Sequence, residues 1–454
     1  MKRLIFPRLQ QWKDDPARKP VLLRGARQVG KTWIARELGR LFPTFVEVNF
    51  ELYPEAKEIF QPDLDPRRII RDVSLLSGKK ISPGESLLFL DEIQEAPGAL
   101  QALRYFYEMM PEQHVIAAGS LLDFELEKIG MPVGRVMSVY MHPMSFLEFL
   151  AARNETLLAE MILEHEGTTP ISPPIHRKLL HLLGEYMAVG GMPEAVARWC
   201  ATESLEACSV VHRTIADAYR QDFNKYARKY QIKYVSLLFD TVPALLGEIF
   251  KFSRIPGNYR KRELQPALEL LEKAGIVHRV IHSAGQGIPL GAQAKLDLFK
   301  LLFLDIALAQ SVLGLDGASW LLHPESEFVN KGNITEAFVG QELLAYSPFD
   351  QKPRLYFWKR TVRGSNAEVD YLLQRHHQII PIEVKSAAPG RLKSLRLFLQ
   401  EHPHSPYGIR FSALNYTRDA RLHSLPLYAV ASILKPPDEG IRYLLEEESS
   451  GKVI

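Results

Sequence analysis

A chain of 454 residues, 46% hydrophobic and 24% charged, has material for roughly three domains. Its formal net charge of +3 neither demands a polyanionic partner nor excludes one, so any basic surface must be local. Two cysteines, Cys200 and Cys208, leave no room for a disulfide framework or a cysteine metal site. They fall in a stretch that reads as one helix, over two turns apart and too far along it to bond each other. The N-terminus carries Lys2 and Arg3 without the apolar run of a secretory signal, and about 18 consecutive apolar residues occur nowhere. A soluble cytoplasmic protein with no membrane partner is the expectation.

The strongest pattern comes early. Gly25, Ala26, Arg27, Gln28, Val29, Gly30, Lys31 and Thr32 have the spacing G-x-x-x-x-G-K-T, after the apolar run Val21 to Leu23 and before the helical pattern Trp33 to Leu41. Strand, glycine loop and helix follow in the order a phosphate cradle requires. The glycines let successive N–H groups turn toward one centre, and the helix N-terminus adds partial positive charge. Lys31 is expected on the β- and γ-phosphates and Thr32 on Mg²⁺, with Trp33 opening the helix. The matching half lies at Ser86 to Gln94, where the apolar strand Leu87 to Leu90 ends in Asp91 and Glu92. Carboxylates at that end of a parallel strand face the ligand crevice, so Asp91 can hold the Mg²⁺ shell while Glu92 polarises the attacking water.

Between and beyond these motifs, Phe45 to Phe50 reads as a strand with Asn49 and Glu51 near its end, either close to the nucleotide or capping a loop. Ala99 to Met110 is an amphipathic helix. Val115 to Ala118 is a third strand ending in Gly119 and Ser120, and Ser120 is either a γ-phosphate sensor or a helix cap. Arg135 is either an arginine finger for a neighbouring subunit or a surface residue. His142 to Leu150, a turn running into a helix, closes this domain at about residue 150.

Gly25 to Thr32, Leu90-Asp-Glu-Ile-Gln94, Ala118-Gly-Ser120, Pro143-Met-Ser-Phe-Leu-Glu-Phe149 and Gly190-Gly-Met-Pro-Glu194 together resemble prokaryotic AAA-type ATPases that carry a C-terminal domain of unknown function. The resemblance spans essentially the whole chain. Trp33, where a small or aliphatic residue is more usual, departs from it without touching the phosphate chemistry. It implies an α/β fold: a P-loop ATPase core with a parallel sheet (1–150), followed by further domains.

Residues 151–230 are helical and read as a lid or linker, by analogy with other nucleotide cores. Gly190 and Gly191 before Pro193 mark a break, plausible as a hinge. In 231–325, an apolar helix Val235 to Phe250, a turn, a helix Arg260 to Ala274, the strand Ile276 to Ile281 and Leu296 to Phe303 are the parts of a winged-helix-like domain. Arg254, Arg260, Lys261 and Arg262 cluster where DNA phosphates would be met, or form a solvated basic turn.

The remaining 326–454 hold the helix Thr335 to Leu344 with Glu336, and strands Leu355 to Trp358, Ala367 to Leu373 with Asp370, and Ile379 to Ser386 with Glu383 and Lys385. Strand alternation puts Glu383 and Lys385 on one face. The order resembles the PD-(D/E)xK restriction-endonuclease-like core, in which two carboxylates hold Mg²⁺ or Mn²⁺ and the lysine orients a water. A structural salt bridge from Lys385 is the plainer alternative. Two functions stay open: an ATP- and Mg²⁺-dependent machine acting on DNA by translocation, remodelling or cleavage, and an ATP-controlled homo-oligomerising switch or scaffold whose nuclease-like domain is inactive and docks a partner.

Overall fold

A computed structural model describes residues 1–120, 122–130, 134–362, 364–385, 392–434 and 438–446. Among these residues, thirteen strands fall into two sheets. The first contains β1 (Val21–Arg24), β2 (Thr44–Asn49), β3 (Ser86–Asp91), β4 (His114–Ala118) and β5 (Met137–Tyr140) in the order β2-β3-β4-β1-β5, all parallel. Helices join successive strands, which is the connection parallel pairing requires. Buried residues occupy every position of β3 and β4, as expected for central strands covered on both faces.

The second sheet runs β12-β13-β11-β10-β9-β8-β6-β7. Its strands are β6 (Val277–Ser283), β7 (Ala294–Phe303), β8 (Leu355–Lys359), β9 (Glu368–Arg375), β10 (Gln378–Val384), β11 (Gly408–Ser412), β12 (Thr417–Asp419) and β13 (Leu422–Pro426). β6 and β7 form an antiparallel hairpin after the helix Lys261–Lys273, and β6 then pairs in parallel with β8. The hairpin expected as a wing is therefore continuous with the sheet expected for the next unit. The expected strand end at Ser386 lies outside the described residues.

Two local expectations need correcting. The helix expected from Val235 to Phe250 is Ile232–Thr241, followed by a tighter turn Val242–Leu245. Pro243 cannot donate to the helical ladder, and Gly247 at φ +74° then turns the chain so that Ile249 bridges to Lys300. Cys200 and Cys208 lie on two helices, Pro193–Thr202 and Leu205–Tyr226, parted by Glu203 in a left-handed conformation; both thiols are free.

One continuous apolar cluster includes Val21 of β1, Tyr186, Phe338 and Phe411 of β11, so the nucleotide unit and the C-terminal sheet share a core. Polar joints reinforce it. The buried Glu342, on the helix Gly332–Ala345, accepts from the Phe146 amide (2.9 Å) and from Tyr346 Oη (2.7 Å). Ser145 and Glu148 form a reciprocal cap on the helix Phe146–Ala152, and Glu148 Oε1 also accepts from Arg3 Nε (3.0 Å) and the Leu4 amide (2.7 Å). Arg3 in turn donates to the carbonyls of Val29 (2.8 Å) and His142 (2.7 Å). The Pro143 to Phe149 motif thus braces the glycine loop through Arg3.

Both partners of the Arg3–Glu148 pair are buried, with side-chain exposures of 7% and 5%. Arg3→Met would leave Glu148 as an uncompensated buried charge, and is predicted to lower the unfolding free energy by about 3–5 kcal/mol. Urea denaturation followed by far-UV circular dichroism checks this; an unchanged midpoint contradicts it.

Candidate nucleotide site

The glycine loop lies at the C-terminal end of β1, inside the parallel sheet. Gly25 (φ +139°) and Gly30 (φ +96°) supply the conformations the turn requires, and a Cβ on Gly25 would collide with the Met141 carbonyl oxygen. Gln28, at φ +64°, is a non-glycine residue held in the left-handed region, a strain typical of ligand loops. Lys31, Thr32 and Trp33 open the helix Lys31–Gly39, with Trp33 39% exposed.

The Lys31 ammonium folds back over the loop and donates to the carbonyls of Gly25 (3.0 Å) and Ala26 (2.7 Å). Burial lowers its pKa to about 8, against the opposing pull of Glu92 and Asp91. Its hydrogen-bond partners are carbonyl dipoles, with Glu92 and Asp91 acting from farther off, so it has no carboxylate bonded to it and suits a polyphosphate. Thr32 Oγ1 donates to Asp91 Oδ2 (3.1 Å), which joins the loop to the end of β3, two strands away from β1. Asn49 Nδ2 reaches the same oxygen (3.3 Å), while Asn49 Oδ1 accepts from the amides of Glu51 (3.0 Å) and Leu52 (2.9 Å). Asn49 thus caps its loop and steadies Asp91. Burial, then the neighbouring Glu92, raises the Asp91 pKa. Hydroxyl and carboxylate are the hard oxygen donors that suit Mg²⁺, so these residues fit that ion.

Glu92, the residue after β3, is held in the left-handed region at φ +51°. Gln94 Nε2 donates to Glu92 Oε2 (2.6 Å), and a Cβ on Gly119 would collide with Gln94 Oε1. Gln94 therefore links the carboxylate of β3 to the end of β4. Ser120 is half-buried two residues before the helix Leu122–Ile129. It lines a cleft of about 60 Å³ together with Arg24, Gly25, Ala26, His142, His278 and Lys352. Gly275, just past the helix Lys261–Lys273, borders that cleft and rests against Ala26. Arg135 is 45% exposed and bonds Glu108 (2.9 Å), away from the loop.

Three contacts escaped the sequence reading. Arg3 braces the loop from behind. Arg27 forms an ion pair with Asp222 of the long helix Leu205–Tyr226, and Tyr219 Oη donates to the Arg27 carbonyl (2.6 Å). Lys225 on that helix bonds Glu51 (2.9 Å). The stretch expected to act as a lid thus touches the glycine loop directly. The Gly190-Gly191 break is also built in: Asp305 Oδ2 accepts from the Gly191 amide (2.7 Å), and Gly191 returns its carbonyl to the Met144 amide (2.6 Å).

The second cluster is not arranged as expected. Glu383 pairs with Lys385 (2.8 Å), and Asp370 Oδ2 accepts from the Val384 amide (2.8 Å). Into the space between Glu336 and Asp370 comes Lys300 of β7, at 2.8 Å from Glu336, 2.6 Å from Glu368 and 3.5 Å from Asp370. Among the described residues no group of three or more acidic, histidine or cysteine side chains could hold a metal ion. Arg254, Arg260, Lys261 and Arg262 are all exposed; Arg254 pairs with Glu248 and Lys261 lies 5.9 Å above the Phe252 ring.

Strand order, loop and acidic pair define an AAA-type, P-loop ATPase-like domain, and family comparison agrees. Residues 17–150 match the AAA domain family. Residues 180–319 and 331–430 match two domains of unknown function, DUF8612 and DUF4143. Among solved structures, the chain is similar to a Walker-type ATPase of Pyrococcus abyssi at 16% identity, with 68% of this chain and 94% of that one covered and a TM-score of 0.44. It is also similar to a signal transduction ATPase with numerous domains, bearing a tetratricopeptide repeat sensor, from Pyrococcus horikoshii (12% identity, 75% of this chain covered, TM-score 0.26), of which it spans about half the length, 48%. No curated protein matches the chain. Among the described residues no helix is long and apolar enough to cross a membrane.

Phosphate binding requires the charged form of Lys31. With a pKa of about 8 in the free protein, affinity for MgATP is predicted to be flat below pH 8 and to fall about tenfold per pH unit above it. Calorimetric titration between pH 6.5 and 9.5 checks this; constant affinity to pH 9.5 contradicts it.

Proposed function

We propose that the protein binds and hydrolyses ATP, and that the nucleotide state controls how its helical and C-terminal units are disposed. The observation that carries this is the convergence of Lys31, Thr32, Asp91 and Glu92 at the ends of β1 and β3, with Thr32 bonded to Asp91. In this reading the amides of residues 26–32 and the Lys31 ammonium bind the phosphates and offset the charge that builds on them. Thr32 and Asp91 hold Mg²⁺, which would neutralise the β- and γ-oxygens. Glu92, oriented by Gln94, takes a proton from the attacking water. Ser120 is the γ-phosphate sensor. Arg135, on the surface, serves as finger for a neighbouring copy in a homo-oligomer.

Two contacts support conformational control. The Arg27–Asp222 pair ties the loop to the long helix, and the rest of Gly275 against Ala26 ties it to the unit that carries β6 and β7. Any ligand that draws Arg27 toward phosphate competes with Asp222, which gives the two states a differential interaction energy.

Action on DNA is a second reading, favoured by the exposed cluster Arg254, Arg260, Lys261 and Arg262 at the start of the helix Lys261–Lys273. Metal-dependent cleavage through Glu336, Asp370, Glu383 and Lys385 belongs to that reading, and the placement of Lys300 weighs against it. The switch reading, with a nuclease-like domain that docks a partner, needs no such metal.

Phosphate release by wild type and Glu92→Gln, with and without single- and double-stranded DNA, distinguishes these. Glu92→Gln is expected to reduce turnover at least a hundredfold while retaining ATP. A wild-type rate raised several-fold by DNA, and no longer raised when the four basic residues are replaced by alanine, would establish the DNA reading. A rate indifferent to nucleic acid leaves the switch.

A further inference from the structure

The Lys300 side chain is 3% exposed, on a strand whose neighbouring positions Phe299, Leu301, Leu302 and Phe303 are buried and apolar. An ammonium there has lost its water, and such a group persists only if fixed negative charge replaces that water. Three carboxylates from two elements do so: Glu336 from the helix Gly332–Ala345, and Glu368 and Asp370 from β9. The ring of Phe357 on β8 adds its face at 5.4 Å. Burial works against the Lys300 charge, yet Glu336, Asp370 and Glu368 outweigh it and hold its proton more tightly than water would.

The same cluster shows an imbalance beside it. Glu383 is 2% exposed; one of its oxygens meets Lys385, and the other, Oε2, is buried without a hydrogen-bond partner among the described residues. Glu336, Glu368 and Asp370 thus converge on Lys300, with Glu383 on the neighbouring strand β10. Negative charge at that density calls for a cation, and with Lys300 in place the described carboxylates form no group that could hold a metal ion. The cation these carboxylates meet is the Lys300 ammonium, delivered by the β6–β7 hairpin.

We propose that Lys300 is the resident cation of this carboxylate pocket: its ammonium stands where a divalent ion would otherwise bind, and it pins the β6–β7 hairpin to the C-terminal sheet. The pocket is then a charge-compensated joint, and a divalent cation enters only when the lysine is removed.

Nucleotide-free, full-length protein titrated with Mn²⁺ and followed by loss of the free-ion electron paramagnetic resonance signal tests this. Wild type and Asp370→Asn should bind Mn²⁺ alike, because the pocket is already filled. Lys300→Met should gain about one Mn²⁺ per chain, at least tenfold tighter than any wild-type binding, and Lys300→Met/Asp370→Asn should lose it. Melting curves should show Lys300→Met destabilised without Mn²⁺ and recovered with it, while wild type is indifferent to the ion. Wild-type Mn²⁺ binding abolished by Asp370→Asn would overturn the proposal, and that comparison stands even if Lys300→Met does not fold. A folded Lys300→Met with no added Mn²⁺ binding would overturn it equally.

Discussion

The bond from Thr32 Oγ1 to Asp91 Oδ2 is the contact on which the nucleotide site depends. It spans the gap between β1 and β3, which β4 separates in the sheet, so it can form only if all three strands are parallel and end at one level. Register secures this: Leu23 of β1 lies beside Ala118 of β4, and Leu90 of β3 beside Ala117. The apolar runs that make these strands unremarkable as surface are what fix the depth at which hydroxyl and carboxylate meet. Sequence becomes chemistry here by way of strand pairing.

Around that contact the loop is restrained on three sides. Arg3 holds the Val29 carbonyl from the N-terminal helix side, Tyr219 and Asp222 hold Arg27, and Gly275 rests against Ala26. Each restraint begins on a different stretch of chain. A loop fixed at its glycines and tethered elsewhere by charge pairs is stiff at its turn and adjustable where a competing anion can displace a carboxylate. Coupling between nucleotide and distant elements needs that combination.

Charge is handled by one rule at three places in the interior. Glu148 is matched by Arg3, Asp222 by Arg27 and the Glu336–Glu368–Asp370 set by Lys300, each pair joining segments far apart in the chain. Buried ion pairs add little stability relative to apolar packing, but breaking one is costly, so they specify arrangement more than they strengthen it. Glu342 follows a variant of the rule. Burial pushes its pKa up to about 8, and it is satisfied by a phenol and an amide.

Much of this was legible in the sequence. The cradle at Gly25 to Thr32 and the acidic pair Asp91–Glu92 follow from residue spacing next to apolar runs, because the chemistry demands contiguous backbone. The helix and strands bearing Glu336, Asp370 and Glu383 were placed from periodicity within three residues at the described ends. Long-range partners were not legible. Nothing local marks Arg3 as a brace or tells that β6 pairs with β8, since pairing across 75 residues leaves no pattern in either strand. Lys300 left one trace, a lone cation inside the run Leu298 to Leu304, where a buried strand tolerates charge only with a partner. The helix boundary at Thr241 and the split between Cys200 and Cys208 depart from the expectation because Pro243 interrupts the ladder and Ser204 caps a new helix. The central claim, that a nucleoside triphosphate is held by Lys31, is tested most directly by calorimetric titration of MgATP into wild type and Lys31→Ala at pH 7. The account predicts binding at one site per chain in the wild type and at least a hundredfold loss in the variant; equal affinity in the two, or no binding by wild type, would contradict it.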